Sequence, residues 1–141
     1  MQRVGWAGMA IMVVLASAGA FGDGPLSSNT VTTADGSTIA FSRVMRAEMP
    51  ELVRMQGGSG STVQSIRVDS GTLRWLTIES TVPRADREVR ARGMLEFVLT
   101  TGAGGDVEME LVVIPRTIGW HRLRARFGEA PWTDVGVLVL P

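Results

Sequence analysis

From Thr30 to Leu140 the chain is interrupted every few residues by Gly, Asp, Ser or Pro, with short β-branched or aliphatic runs between the breaks. That spacing admits strands and leaves no window for an apolar helical stripe. The best helical window, 42–55, contains Pro50, which lacks an amide donor and clashes with the preceding turn. The pattern predicts strands over 30–33, 38–45, 63–69, 72–80, 94–101, 107–114, 120–127 and 135–140. Asp35-Gly36 reads as a tight hairpin turn, residues 57–61 as a flexible loop, and residues 84–92 as a solvated connection. Eight short strands at this spacing predict an all-β fold, an antiparallel immunoglobulin-like sandwich.

The C-terminal part allows a finer reading. If 101–105 and 115–119 are the two turns of a three-stranded meander, Phe97 lies opposite Met109 and Leu95 opposite Leu111. In the second hairpin Leu111 meets Leu123, Met109 meets Ala125, and Val107 meets Phe127. Because side chains alternate across a strand, all of these share one face. The other face carries Glu96, Val98, Glu108, Glu110, Val112, Arg122, Arg124 and Arg126. Glu110 would stand across from Arg124 and Glu108 across from Arg126, each pair contributing about 0.2–1 kcal/mol. A slip of one residue would drive the Arg row into the core.

The N-terminus fixes the compartment. Val4 to Phe21 is free of charge, with Arg3 before it and Asp23 after it. That asymmetry predicts a cytoplasmic N-terminus and an exported C-terminal part. The stretch is eighteen residues long and covers about 27 Å as a helix, the short end of a membrane span. Ala16-Ser17-Ala18 and Ala18-Gly19-Ala20 also satisfy the small-residue rule for signal-peptide cleavage. On the residues alone, a retained anchor and a cleaved leader both stand. The chain divides into an anchor or signal segment, 1–22, a short linker, 23–29, and an extracytoplasmic β-domain, 30–141.

Composition excludes several activities. The chain has no Cys, so it has neither a disulfide frame nor a thiol nucleophile. Fourteen Arg, with no Lys, balance fourteen acidic residues, which argues against nucleic acid as partner. His121 is the only imidazole. It falls on the apolar parity near a sheet end, opposite Val113 in the meander, and reads as an edge histidine with one hydrogen bond. The competing reading is a general base for a hydrolase. Met45, Met49 and Met55 could suggest Cu(I), but core or surface packing accounts for methionines without a His cluster. No nucleotide-binding loop, calcium loop or nucleophile elbow is present. We therefore assign no catalytic residue, cofactor or metal. The candidate interaction residues are Trp120, Arg122, Arg124, Arg126 and Trp132, because exposed Trp and Arg dominate binding energy at interfaces. A solvated charge ladder is the alternative for the Arg row.

Three features in order carry a resemblance. The apolar segment runs directly into Phe21-Gly22-Asp23-Gly24-Pro25-Leu26-Ser27, similar to an F-G-x-G-P-L-S junction. Asp35-Gly36 is followed by Ile39, Phe41, Arg43, Arg46, Pro50 and Leu52, similar to a D-G-x-L-x-V-x-Y-x-R-F-x-R…P-x-x-L segment, with Phe41 in place of Tyr and Val44 where an aromatic is usual. The chain closes on Pro115, Gly119, the strand 120–127 and Val137-Leu138-Val139-Leu140-Pro141. In these respects it resembles a group of small bacterial membrane-anchored extracytoplasmic proteins that have no established activity. The resemblance implies one uncleaved N-terminal helix in the inner membrane and a periplasmic β-domain without catalytic residues. The expected role is an interaction or accessory module for another envelope protein. The alternative is a soluble periplasmic binding module freed by signal cleavage, with a metal-related role as one form of it.

Overall fold

The structure is a computed structural model. It describes residues 28–33, 35–57, 63–100 and 106–141, together with Trp6, Met9, Ala10, Val13 and Val14, which are helical. The apolar segment from Val4 to Phe21 otherwise lies outside the described residues, as does most of the 57–61 loop. Among the described residues no helix is long and apolar enough to cross a membrane.

From Ser28 onward eleven strands and one short helix are described: β1 (Ser28–Thr32), β2 (Thr38–Ser42), β3 (Val44–Arg46), β4 (Glu51–Gly57), β5 (Val63–Asp69), α1 (Ser70–Trp75), β6 (Leu76–Val82), β7 (Arg87–Ala91), β8 (Met94–Thr100), β9 (Val107–Pro115), β10 (Gly119–Phe127) and β11 (Thr133–Leu140). They form two sheets, ordered β1-β2-β4-β9-β6 and β3-β11-β10-β5-β8-β7. Every pairing is antiparallel except β3 with β11, which is parallel. The chain is thus an all-β sandwich. Its core is filled from both inner faces, by Ile39, Val53, Met55, Met109, Leu111 and Val113 of the first sheet and Ile66, Leu95, Phe97, Leu123, Val137 and Val139 of the second.

The meander is corrected. Strands β8, β9 and β10 do not pair with one another: β9 lies in the first sheet between β4 and β6, while β8 and β10 flank β5 in the second. Each connection crosses between sheets. The face assignment survives because the inner faces of two stacked sheets oppose each other, so residues expected side by side meet across the core instead. Leu95, Phe97, Met109, Leu111, Leu123, Ala125 and Phe127 are all buried. The charge partners differ. Glu108 and Glu110 pair with Arg54 of β4, Arg124 lies opposite Asp134, and Arg126 lies opposite Arg67.

Four local readings also change. The strand expected over 72–80 begins as α1, because the Asp69 carboxylate accepts the Thr72 amide at 2.9 Å and caps the helix. The strand expected over 38–45 breaks at Arg43, and its two parts join different sheets as β2 and β3. Residues 51–57 form β4, with Val53, Met55 and Gly57 inward. Residues 87–91, expected as solvated connection, form the edge strand β7, where charged residues guard an unpaired edge. Asp35-Gly36 does close the β1–β2 hairpin, with Gly36 at φ 84°.

Candidate interaction face

Strand β10 sends its odd-numbered side chains inward and its even-numbered ones out. Leu123, Ala125 and Phe127 are buried, while Trp120, Arg122 and Arg124 are exposed. On the outer face Trp120 sits beside Leu138 of β11, which in turn sits beside Val44 of β3. Arg122 lies opposite Gly136. The indole of Trp120 is laid over that glycine: a Cβ at position 136 would come within 2.5 Å of its Cζ2. The ring therefore lies along the sheet, and the residue remains 72% exposed.

The upper part of the row is braced. The guanidinium carbons of Arg124 and Arg126 stand 5.2 Å and 4.8 Å from the centroid of the half-buried Trp132 ring, within cation–π range. Arg124 Nε is 3.4 Å from Asp134 Oδ1. Arg126 Nε is buried and has no hydrogen-bond partner among the described residues. Next to it, Arg67 bridges Glu96 and Glu129, each at 2.7 Å. The hydrogen bond to Glu129 and then that to Glu96 raise the Arg67 pKa, and the same contact with Arg67 pulls Glu129 below its ordinary value. Arg122 has no ion pair among the described residues. The five expected residues thus lie on one sheet face, with Trp120 and Arg122 presented freely and Arg124, Arg126 and Trp132 stacked together.

What holds β10 in place was not legible from sequence. Strand β5 pairs with β10 only from Ile66 to Val68. Beyond that, α1 takes over the strand edge with side chains. Thr72 Oγ1 accepts the Arg124 amide at 2.8 Å, and Trp75 Nε1 donates to the Arg122 carbonyl at 3.3 Å. Both Thr72 and Trp75 are buried. The Asp69 that starts the helix is the only local signal for this device.

His121 lies opposite Val137, not Val113. Its ring stacks on Trp75, with centroids 4.8 Å apart and planes 10° apart. Nε2 is 2.9 Å from the Thr117 carbonyl, so that nitrogen carries the proton and donates it. No hydroxyl or carboxylate is hydrogen-bonded to the ring among the described residues. Between α1 and β10 lies an open depression of about 380 Å³, lined by Asp69, Trp75, Trp120, His121 and Arg122 among others. A larger cleft of about 680 Å³ separates the edge strands β6 and β7, with Ile78, Leu95 and Phe97 at its base and Glu88 and Arg90 at its rim. Met45 and Met55 are core residues and Met49 is exposed. Among the described residues, no three His, Cys, Asp or Glu side chains are grouped to hold a metal.

No protein-family model matches the chain, and no curated protein matches it significantly.

Proposed function

We propose that this chain is a non-catalytic interaction module, held at the outer face of the bacterial inner membrane by residues 4–21, that docks onto another envelope protein through the outer face of β10 and β11. The observation that carries this reading is the pairing of a flat, solvent-presented indole at Trp120 with the uncommitted guanidinium of Arg122. Trp and Arg are the residues that most often anchor interfaces, and Trp does so at low entropic cost. The rest of the Arg row is stacked or paired in advance, so it loses little freedom on docking.

The strand order supports an immunoglobulin-like description of the sandwich. Such domains place strands A-B-E-D in one sheet and C-F-G in the other. Here β2-β4-β9-β6 and β5-β10-β11 occupy those places in chain order. The β7–β8 hairpin widens the second sheet, but it follows the D-like strand, whereas the extra pair of a variable-type domain precedes it.

The test is site-specific crosslinking in intact cells. A photoreactive residue at position 138 of the full chain, beside Trp120 on the same face, is expected to capture one discrete envelope protein, and Arg122→Glu is expected to abolish capture. Equal capture from a position on the opposite sheet, such as Gln56, would overturn the reading. Intact mass of the chain recovered from membranes separates anchor from leader: a mature chain starting after Ala18 or Ala20 would remove the anchor.

A further inference from the structure

The strand directions bring several exposed apolar residues to one end of the sandwich. Ile118 precedes Gly119, which pairs with Val139, so it stands next to Leu140 at the end of β11. The Ala47 amide donates to the Leu140 carbonyl and the Glu48 amide to the Pro115 carbonyl, which fixes the turn carrying Met49 at the same end. Met49 is 54% exposed, Ile118 60% and Leu140 37%. Trp120, one pair inward from this end, borders them.

The first described strand starts here too. Ser28 pairs with Ser42, whose hydroxyl reaches the Glu51 carboxylate, and Glu51 lies opposite Val113 near the end of β9. Only residues 22–27 separate Ser28 from Phe21, the last residue of the apolar stretch. Seven Cα steps span at most about 25 Å. A chain anchored through residues 4–21 cannot carry this end far from the bilayer surface.

Charge points the same way. Around this end Arg43, Arg46 and Arg74 are exposed, Arg116 pairs with Glu48, and Glu51 is half-buried. The far end carries Asp35, Asp86, Asp106 and Glu129 against Arg84 and Arg87. Basic residues beside exposed apolar ones match an anionic lipid surface, where Trp favours the headgroup level.

We infer that this end of the sandwich rests on the membrane, with Met49, Ile118 and Leu140 in the lipid interface and Trp120 at headgroup height. The inference rests on the anchored reading of residues 4–21. It makes the docking face juxtamembrane, so that the partner is met at the bilayer surface.

The chain lacks cysteine, so single cysteines report cleanly. The full chain is reconstituted into phosphatidylethanolamine–phosphatidylglycerol vesicles with an environment-sensitive fluorophore at I118C, M49C or D106C. The expected result is blue-shifted emission at 118 and 49, quenched by headgroup-nitroxide lipid, with neither effect at 106. A chain that floats with the vesicles but shows water-like emission at 118 and 49 overturns the membrane contact and leaves the anchor standing. Blue-shifted emission that lipid nitroxide does not quench assigns this end to a protein contact and equally overturns it. Failure to float with the vesicles overturns both readings.

Discussion

The indole of Trp120 fills the space that a side chain at position 136 would need, since a Cβ built on Gly136 falls 2.5 Å from Cζ2 of the ring. One glycine in β11 thus determines the pose of the most exposed aromatic on the β10 strand. The backbone at Gly136 is ordinary strand, so it is the absent side chain that matters, not conformational freedom. The neighbouring Arg122 shares this arrangement, because it stands directly opposite Gly136.

Replacing Gly136 with Ala is expected to lift the indole off the sheet while changing stability by no more than about 1 kcal/mol. The ring is already largely exposed and can swing away, and Ala suits a strand better than Gly. Crosslinking through position 138 is expected to fall while the denaturation midpoint holds. Loss of both together would show that the ring supports the fold instead of presenting a surface.

Thr72 supports β10 through one hydroxyl. Thr72→Val keeps the shape and leaves the Arg124 amide without an acceptor, at a cost of about 1–3 kcal/mol. Thr72→Ser keeps the acceptor and loses one buried methyl group, at about 0.8 kcal/mol. Denaturant unfolding is expected to rank wild type above Ser above Val. Hydrogen exchange at the Arg124 amide is expected to accelerate only in the Val variant.

Trp132 holds two cations, and its removal is only partly offset by hydration of the buried Arg126 Nε, which has no hydrogen-bond partner among the described residues. Trp132→Ala is expected to lower stability by about 1–2 kcal/mol, and Trp132→Phe by less because a ring face remains. Thermal unfolding of the two variants checks the order.

The Arg67–Glu129 pair sets an acid dependence. Glu129 is held below its ordinary value, first by its hydrogen bond from Arg67 and then by the charge of Arg67. A folded-state pKa lower than the unfolded one adds stability that is present above the unfolded value and is lost as pH falls through the folded one. Glu129→Gln is therefore expected to flatten the acid limb of the stability curve and to match wild type at its acid end. The effect is small, because the carboxylate is solvent-exposed and screened. An unchanged acid limb would mean the pair is not maintained in solution.

Binary pattern alone was enough to read which way the side chains of β8, β9 and β10 face, because inward and outward parity is written in each strand separately. It could not say which strands are neighbours. Glu108 and Glu110 suit any strand that offers an Arg, and Arg54 on β4 meets that need as well as Arg124 would. β4 escaped notice because Leu52 and Val53 blur its alternation, and β7 because edge strands need charge. The candidate face was legible for the same reason as the parity: Trp120, Arg122, Arg124 and Arg126 are alternate residues of one strand. Its support by Thr72 and Trp75 was not, because a helix substituting for a strand edge leaves no periodic signature.

The break at Arg43 has a mechanical consequence. Residues 38–42 are hydrogen-bonded into one sheet, while the Arg43 carbonyl and residues 44–46 are bonded to β11 in the other. A single continuous ribbon therefore stitches both layers together just after the N-terminal hairpin. Tension applied through residues 22–27 would load the two sheets jointly, and the hairpin cannot unzip beyond Arg43 without also uncovering the edge of the last strand.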